Sequence, residues 1–176
     1  MIAALLAVGL APALADAPPP EPDGYRMDDF RSPTPLTLTG AVVADAAEAE
    51  RLWRAGEAVF IDVMPRPVRP EGLPEGVIWR DPPHDTIPGA TWLANTGYGA
   101  LSPEMDARFG AALEALAAEG RPLLFFCLAD CWMSWNAARR ALKEHGHARV
   151  IWFPEGTDGW AAAGLPLERA APAEGF

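Results

Sequence analysis

From residue 36 onward, short runs that are apolar at nearly every position alternate with segments whose apolar residues recur every three or four places. The first pattern belongs to strands buried on both faces, the second to helices with one buried side. Residues 58–63 form such a run, rich in β-branched side chains and carrying one charge, Asp62. Residues 123–126 form another, and 90–93 and 148–153 read as two more strands. Helical spacing lies between them. Asp45 is placed to cap a helix that buries Ala49, Leu52 and Trp53 and stops at Gly56. Ser102 and Pro103 open a second, with Phe109, Leu113, Leu116 and Ala117 on one side up to Gly120. A third carries Trp135, Ala138, Ala141 and Leu142 and ends at Gly146. Strands alternating with helices predict the α/β class: a single domain with a mostly parallel central sheet and helices on both faces.

The remaining segments lack either period. Residues 64–88 are dense in Pro and Gly, with Arg66, Arg69 and Arg80 among them, and read as a long irregular loop of the kind that carries function. Residues 16–35 are proline-rich with few large apolar side chains, which predicts a disordered, extended tether ahead of a domain at 36–170, followed by a tail at 171–176. Residues 1–15 are uncharged and apolar and end in Ala13-Leu14-Ala15, the pattern of a secretory signal. Cleavage there would leave no membrane span and would place the mature chain in the periplasm, an oxidising compartment. The 176 residues carry a net charge of −10, and the longest basic cluster is Arg139-Arg140. That balance excludes a nucleic-acid or anionic-membrane surface as the principal partner.

Both cysteines of the chain, Cys127 and Cys131, fall where the strand at 123–126 gives way to a helical pattern. Reactive groups of open α/β sheets gather beyond the carboxyl ends of strands, and a following helix turns its free N–H groups and positive dipole end toward them. Such a place favours thiolate over thiol. Cys127 and Cys131 are therefore the candidate catalytic residues, with Asp130, Trp132, Ser134 and Asp62 as candidate loop or substrate-contacting residues. Trp132 and Trp135 could shield the thiolate or offer an aromatic docking face. His84, His145 and His147 are remote from the cysteines in sequence.

Four short pieces in order, Phe60 to Val63, Ile87 to Ala90, Leu124 to Cys127 and Gly156 to Trp160, resemble motifs of the rhodanese-like domain superfamily over roughly residues 40–167. The run from Cys127 to Trp132, with the apolar leader, is most similar to the secreted CXXCW motif proteins associated with PQQ-dependent alcohol catabolism, although three residues separate the cysteines here. The resemblance implies a single rhodanese-like domain, with periplasmic quinoprotein dehydrogenases or associated transport components as partners. Asp130 and Trp132 occupy positions where a rhodanese loop has glycine and arginine, so an anionic donor such as thiosulfate is expected to bind poorly.

Three chemistries fit these residues. In thiol–disulfide exchange, Cys127 attacks and Cys131 resolves, since side chains four apart on a helical turn can meet. In sulfur relay, Cys127 alone carries a persulfide. In the third, the chain binds Cu(I) through the cysteines and Met133, or holds another cofactor such as PQQ, or docks a partner, without turnover. No resident cofactor follows from the sequence itself.

Overall fold

The computed structural model describes residues 17–67 and 70–176. The expected signal at 1–15 and Arg69 lie outside the described residues.

The chain forms β1 (Val42–Val43), α1 (Ala46–Ala55), β2 (Val59–Asp62), β3 (His84–Thr86), β4 (Thr91–Trp92), α2 (Pro103–Ala117), β5 (Leu123–Phe126), α3 (Trp132–Lys143), β6 (Val150–Phe153), α4 (Gly156–Ala162) and β7 (Glu168–Ala170). Five strands make a sheet in the order β1-β6-β5-β2-β4, with every neighbouring pair parallel. The fold is α/β, as the alternating pattern predicts. Outside the main sheet, β3 and β7 pair antiparallel as a small ribbon.

The period-two geometry of the strands divides the core. Val59, Ile61, Leu123, Phe125, Val150 and Trp152 face the cluster under α2 and α3. Phe60, Leu124, Phe126, Ile151 and Phe153 face the opposite cluster, which Leu52 of α1 and Trp160 of α4 complete. Helices therefore cover both faces of the sheet. Fully burying side chains of this size contributes about 1.5–3 kcal/mol each, which is why apolar runs of four suffice to define the central strands.

The helix ends follow local chemistry. Asp45 accepts the Glu48 N–H at 2.9 Å, and Gly56 closes α1 with φ 64°, a conformation that glycine takes without a Cβ penalty. Ser102 accepts the Met105 N–H at 3.2 Å ahead of Pro103. By contrast, α3 begins at Trp132, with Cys131 itself as the residue preceding the first turn and no side chain capping it.

Two segments differ from the sequence expectation. The described part of 16–35 is not a free tether. It contains no helix or regular strand, yet it lies along α3: Asn136 exchanges two hydrogen bonds with the backbone of Arg26, at 2.9 and 3.0 Å, and Phe30 packs against the core. The reason lies in α3, whose residues 132–138 are buried on every side. A helix buried all round needs a second cover besides the sheet, and the proline-rich strap supplies it. The expected tail is likewise seated: the Ala173 N–H donates to the Trp92 carbonyl at 2.9 Å, and Ala173 and Phe176 pack on the core.

Candidate functional site

The site lies at the carboxyl ends of the two central strands. Asp62 ends β2 and is in register with Phe126, the last residue of β5, so that Cys127 emerges beside it. The intervening loop, 128–130, turns sharply at Asp130, with φ 50°. Its start is clamped by α4, where the Thr157 N–H and hydroxyl both donate to the Cys127 carbonyl, at 2.9 and 3.3 Å. Gly156 sits against that carbonyl with φ 52°, and any Cβ there would collide with it. The Asp158 carboxylate accepts the Ala129 N–H at 3.1 Å. These contacts fold the loop back on itself and return Cys131 to Cys127.

The two sulfurs are 2.7 Å apart. Both residues are almost wholly buried, 1% and 3% exposed. Met64, which follows β2, places its Sδ 3.6 Å from the Cys127 Sγ. The strap crosses above: Arg31 pairs with Cys131 as an isolated antiparallel bridge, the Trp132 N–H donates to the Phe30 carbonyl at 2.9 Å, and the Trp132 indole N–H reaches the Ser32 hydroxyl at 3.1 Å.

The sulfurs titrate as a pair. A shared hydrogen bond with Cys131, then burial, then the negative charges of Cys131 and Asp62 push the Cys127 thiol well up. The same hydrogen bond pulls Cys131 down to about 7 against the opposing effect of burial, with help from the Met133 and Leu128 N–H groups and the Arg31 guanidinium. The first proton is therefore lost near neutrality and the second is held. The charges around the pair put the thiolate on Cys131, at the start of α3, and leave the proton on Cys127 beside Asp62.

Asp62 has no exposed surface. Its Oδ1 accepts the Met64 N–H at 2.8 Å, while Oδ2 accepts the Thr86 hydroxyl at 2.5 Å and lies 2.7 Å from His84 Nε2. The His84 ring stands against Trp92, with centroids 4.1 Å apart.

The structure thus brings Cys127, Cys131 and Asp62 together and adds Met64 and His84, which the sequence reading did not select. Trp132 shields the pair, buried under the strap and edge-on to Trp135 at 5.4 Å, so neither ring forms an exposed docking face. Ser134 does not address the sulfurs: its hydroxyl donates to the Cys131 carbonyl at 3.1 Å and accepts from Trp152 Nε1 at 3.0 Å. Asp130 is exposed and lines an open cleft with Pro33, Pro35, Val43 and Pro154. Arg66 pairs with Asp81, away from the sulfurs. Among the described residues, no three or more His, Cys, Asp or Glu side chains gather as a metal site. Nor is any described helix long and apolar enough to cross a membrane.

No family model matches the chain, and no curated protein does. Among solved structures, two complexes of EanB variants with hercynine are similar in fold, with TM-scores of 0.46 and 0.48 and identities of 22% and 23%. The matches cover 74% and 81% of this chain but only 32% and 34% of theirs, so the chain spans about a third of their length. The resemblance to the rhodanese-like superfamily and to the CXXCW motif proteins is thereby overturned, since no family model supports either. The four short motifs are pieces that a parallel sheet calls for in itself, a polar strand end, tight turns and a glycine where two backbones meet, and fold-level pieces do not define an activity. The expected association with quinoprotein dehydrogenases has no other support.

Proposed function

We propose that the chain carries out thiol–disulfide exchange through Cys127 and Cys131. The observation that carries this reading is the approach of the two buried sulfurs to 2.7 Å at the carboxyl ends of the central strands. The Cys131 thiolate attacks one sulfur of a disulfide, forming a mixed disulfide and expelling the other half as a thiolate that takes up a proton. Cys127 then gives up its proton and attacks the Cys131 Sγ, closing the internal disulfide and releasing the second thiolate; two electrons pass from the pair to the substrate. The order of attack is the reverse of the sequence expectation. What supports it is the position of Cys131 before α3 and near Arg31, while Cys127 faces Asp62. We place this chemistry in an exported compartment, on the apolar pattern of residues 1–15.

Intact mass under acid quench, with and without alkylation, tests the reading. An oxidant should remove two hydrogens from wild type and leave no alkylatable thiol until reduction. Cys127→Ser should accumulate a mixed disulfide on Cys131, and Cys131→Ser should lose turnover. Turnover by Cys131→Ser, with a removable sulfur atom on Cys127, would instead establish sulfur relay. An N-terminus at Asp16 on the protein recovered from its cells would bear out export.

A further inference from the structure

We propose that the reduced pair, together with Met64, forms a binding site for one Cu(I) ion. This goes beyond thiol exchange and does not depend on it, because coordination leaves every sulfur in its reduced state.

Three sulfurs from three parts of the fold meet at Cys127: Cys127 itself from the end of β5, Cys131 from the residue before α3, and Met64 from the segment after β2. Cys127 Sγ lies 2.7 Å from Cys131 Sγ and 3.6 Å from Met64 Sδ. Two thiolates and a thioether are a soft donor set, which selects Cu(I) over the hard cations that prefer oxygen ligands. The nearest carboxylate is not free to serve such cations, since both oxygens of Asp62 are taken by Met64 N–H, Thr86 and His84. His84 Nε2 is committed to the same carboxylate.

Met64 is held in place at both backbone groups. Its N–H donates to Asp62 Oδ1 at 2.8 Å, and its carbonyl accepts the Trp92 indole N–H at 2.7 Å. The backbone of Met64 is thereby fixed, and its Sδ lies 3.6 Å from Cys127 Sγ. Thiol exchange makes no use of that sulfur. On binding, the ion replaces the protons of the pair, which pass to solvent. The sequence alone nominated Met133, whose backbone and Cβ press against Gly97; the thioether seen to approach a cysteine is that of Met64.

The test is an anaerobic titration of the full reduced chain with Cu(I) against a chromophoric Cu(I) chelator, with X-ray absorption to count sulfur ligands. One ion per chain with three sulfurs is expected. Met64→Leu, a swap that nearly conserves volume, should weaken affinity at least tenfold and reduce the count to two, while Met133→Leu should bind as wild type. Binding by wild type no tighter than by a Cys127→Ser, Cys131→Ser double variant would overturn the site. So would a Met64→Leu protein, folded by circular dichroism, with unchanged affinity and ligand count.

Discussion

Asp62 is the residue whose charge the site must reckon with, because it is fully buried and its negative end raises the Cys127 thiol. Replacing it by Asn keeps an acceptor for the Met64 N–H but removes that charge. In a Cys131→Ser background, where the sulfurs no longer share a proton, Asp62→Asn should lower the midpoint of Cys127 alkylation. An unchanged alkylation profile would mean that the carboxylate does not act on the thiol. The two cysteines and Asp62 were legible in the sequence because each ends or follows a run of buried strand residues, and strand ends on one side of a parallel sheet converge. His84 and Met64 were not legible. They lie at the two ends of a stretch dense in Pro and Gly, and no periodicity tells where such a stretch returns; a histidine three residues before an Ile-Pro-Gly turn was the only available hint.

At the scale of elements, the strap at 17–35 covers Cys131 and Trp132. It is fixed at one end by the amide of Asn136 on Arg26 and at the other by the Trp135 indole N–H on the Thr37 carbonyl at 3.1 Å. Between these points Trp132 holds it, through the Phe30 carbonyl and the Ser32 hydroxyl. In the proposed exchange, a disulfide would reach Cys131 through a local opening of this middle section. Asn136→Ala would leave the Arg26 and Gly97 backbone groups without their partner, at a cost of about 1–3 kcal/mol. If that cost falls on the closed strap, alkylation of Cys131 at fixed pH should accelerate roughly tenfold, the equivalent of about 1.4 kcal/mol. A fall in melting temperature with no change in alkylation would show that the strap is support and not a gate. The sequence misdirects here for a physical reason. Proline-rich chain has no regular hydrogen bonding of its own to betray it, and its order comes from the outer face of α3. The clue lay in that helix, where Trp132, Met133, Trp135, Ala137, Ala138 and Ala141 spread around the axis and so demand cover on more than one side.

Across the whole molecule, the redox state of the pair and the stability of the fold are linked quantities. The parallel sheet and its two helical layers were readable from the alternation of periods, since they depend on many residues at once; the β3–β7 ribbon was not, because Glu168 to Ala170 and His84 to Thr86 are too short and too polar to carry a pattern. Through that ribbon His84 and Thr86 hold Asp62 beside the sulfurs, and the C-terminus is tied to Trp92 at the end of β4. A bridge from Cys127 to Cys131 closes only a short loop in the unfolded chain, and loop-closure entropy gives it about 2 kcal/mol. At pH 6, below the point where Cys131 loses its proton, little else distinguishes the two forms, and the oxidised protein should melt about 4–8 °C higher than the reduced one. Above neutrality the balance moves. The lowered folded value of Cys131, about 7 against 9.0 for an ordinary thiol, stabilises the reduced fold as pH rises from 7 toward 9 and is lost as pH falls through 7. At pH 8 the gap should therefore shrink by about 1 kcal/mol. Paired melting curves at the two pH values measure both quantities. A gap that widens from pH 6 to pH 8 would place the thiolate elsewhere than on Cys131. A gap that narrows also bears on the proposed exchange: whatever stabilises the reduced fold makes the pair a weaker reductant, so it passes electrons to a substrate disulfide less readily as pH rises than an unperturbed dithiol would.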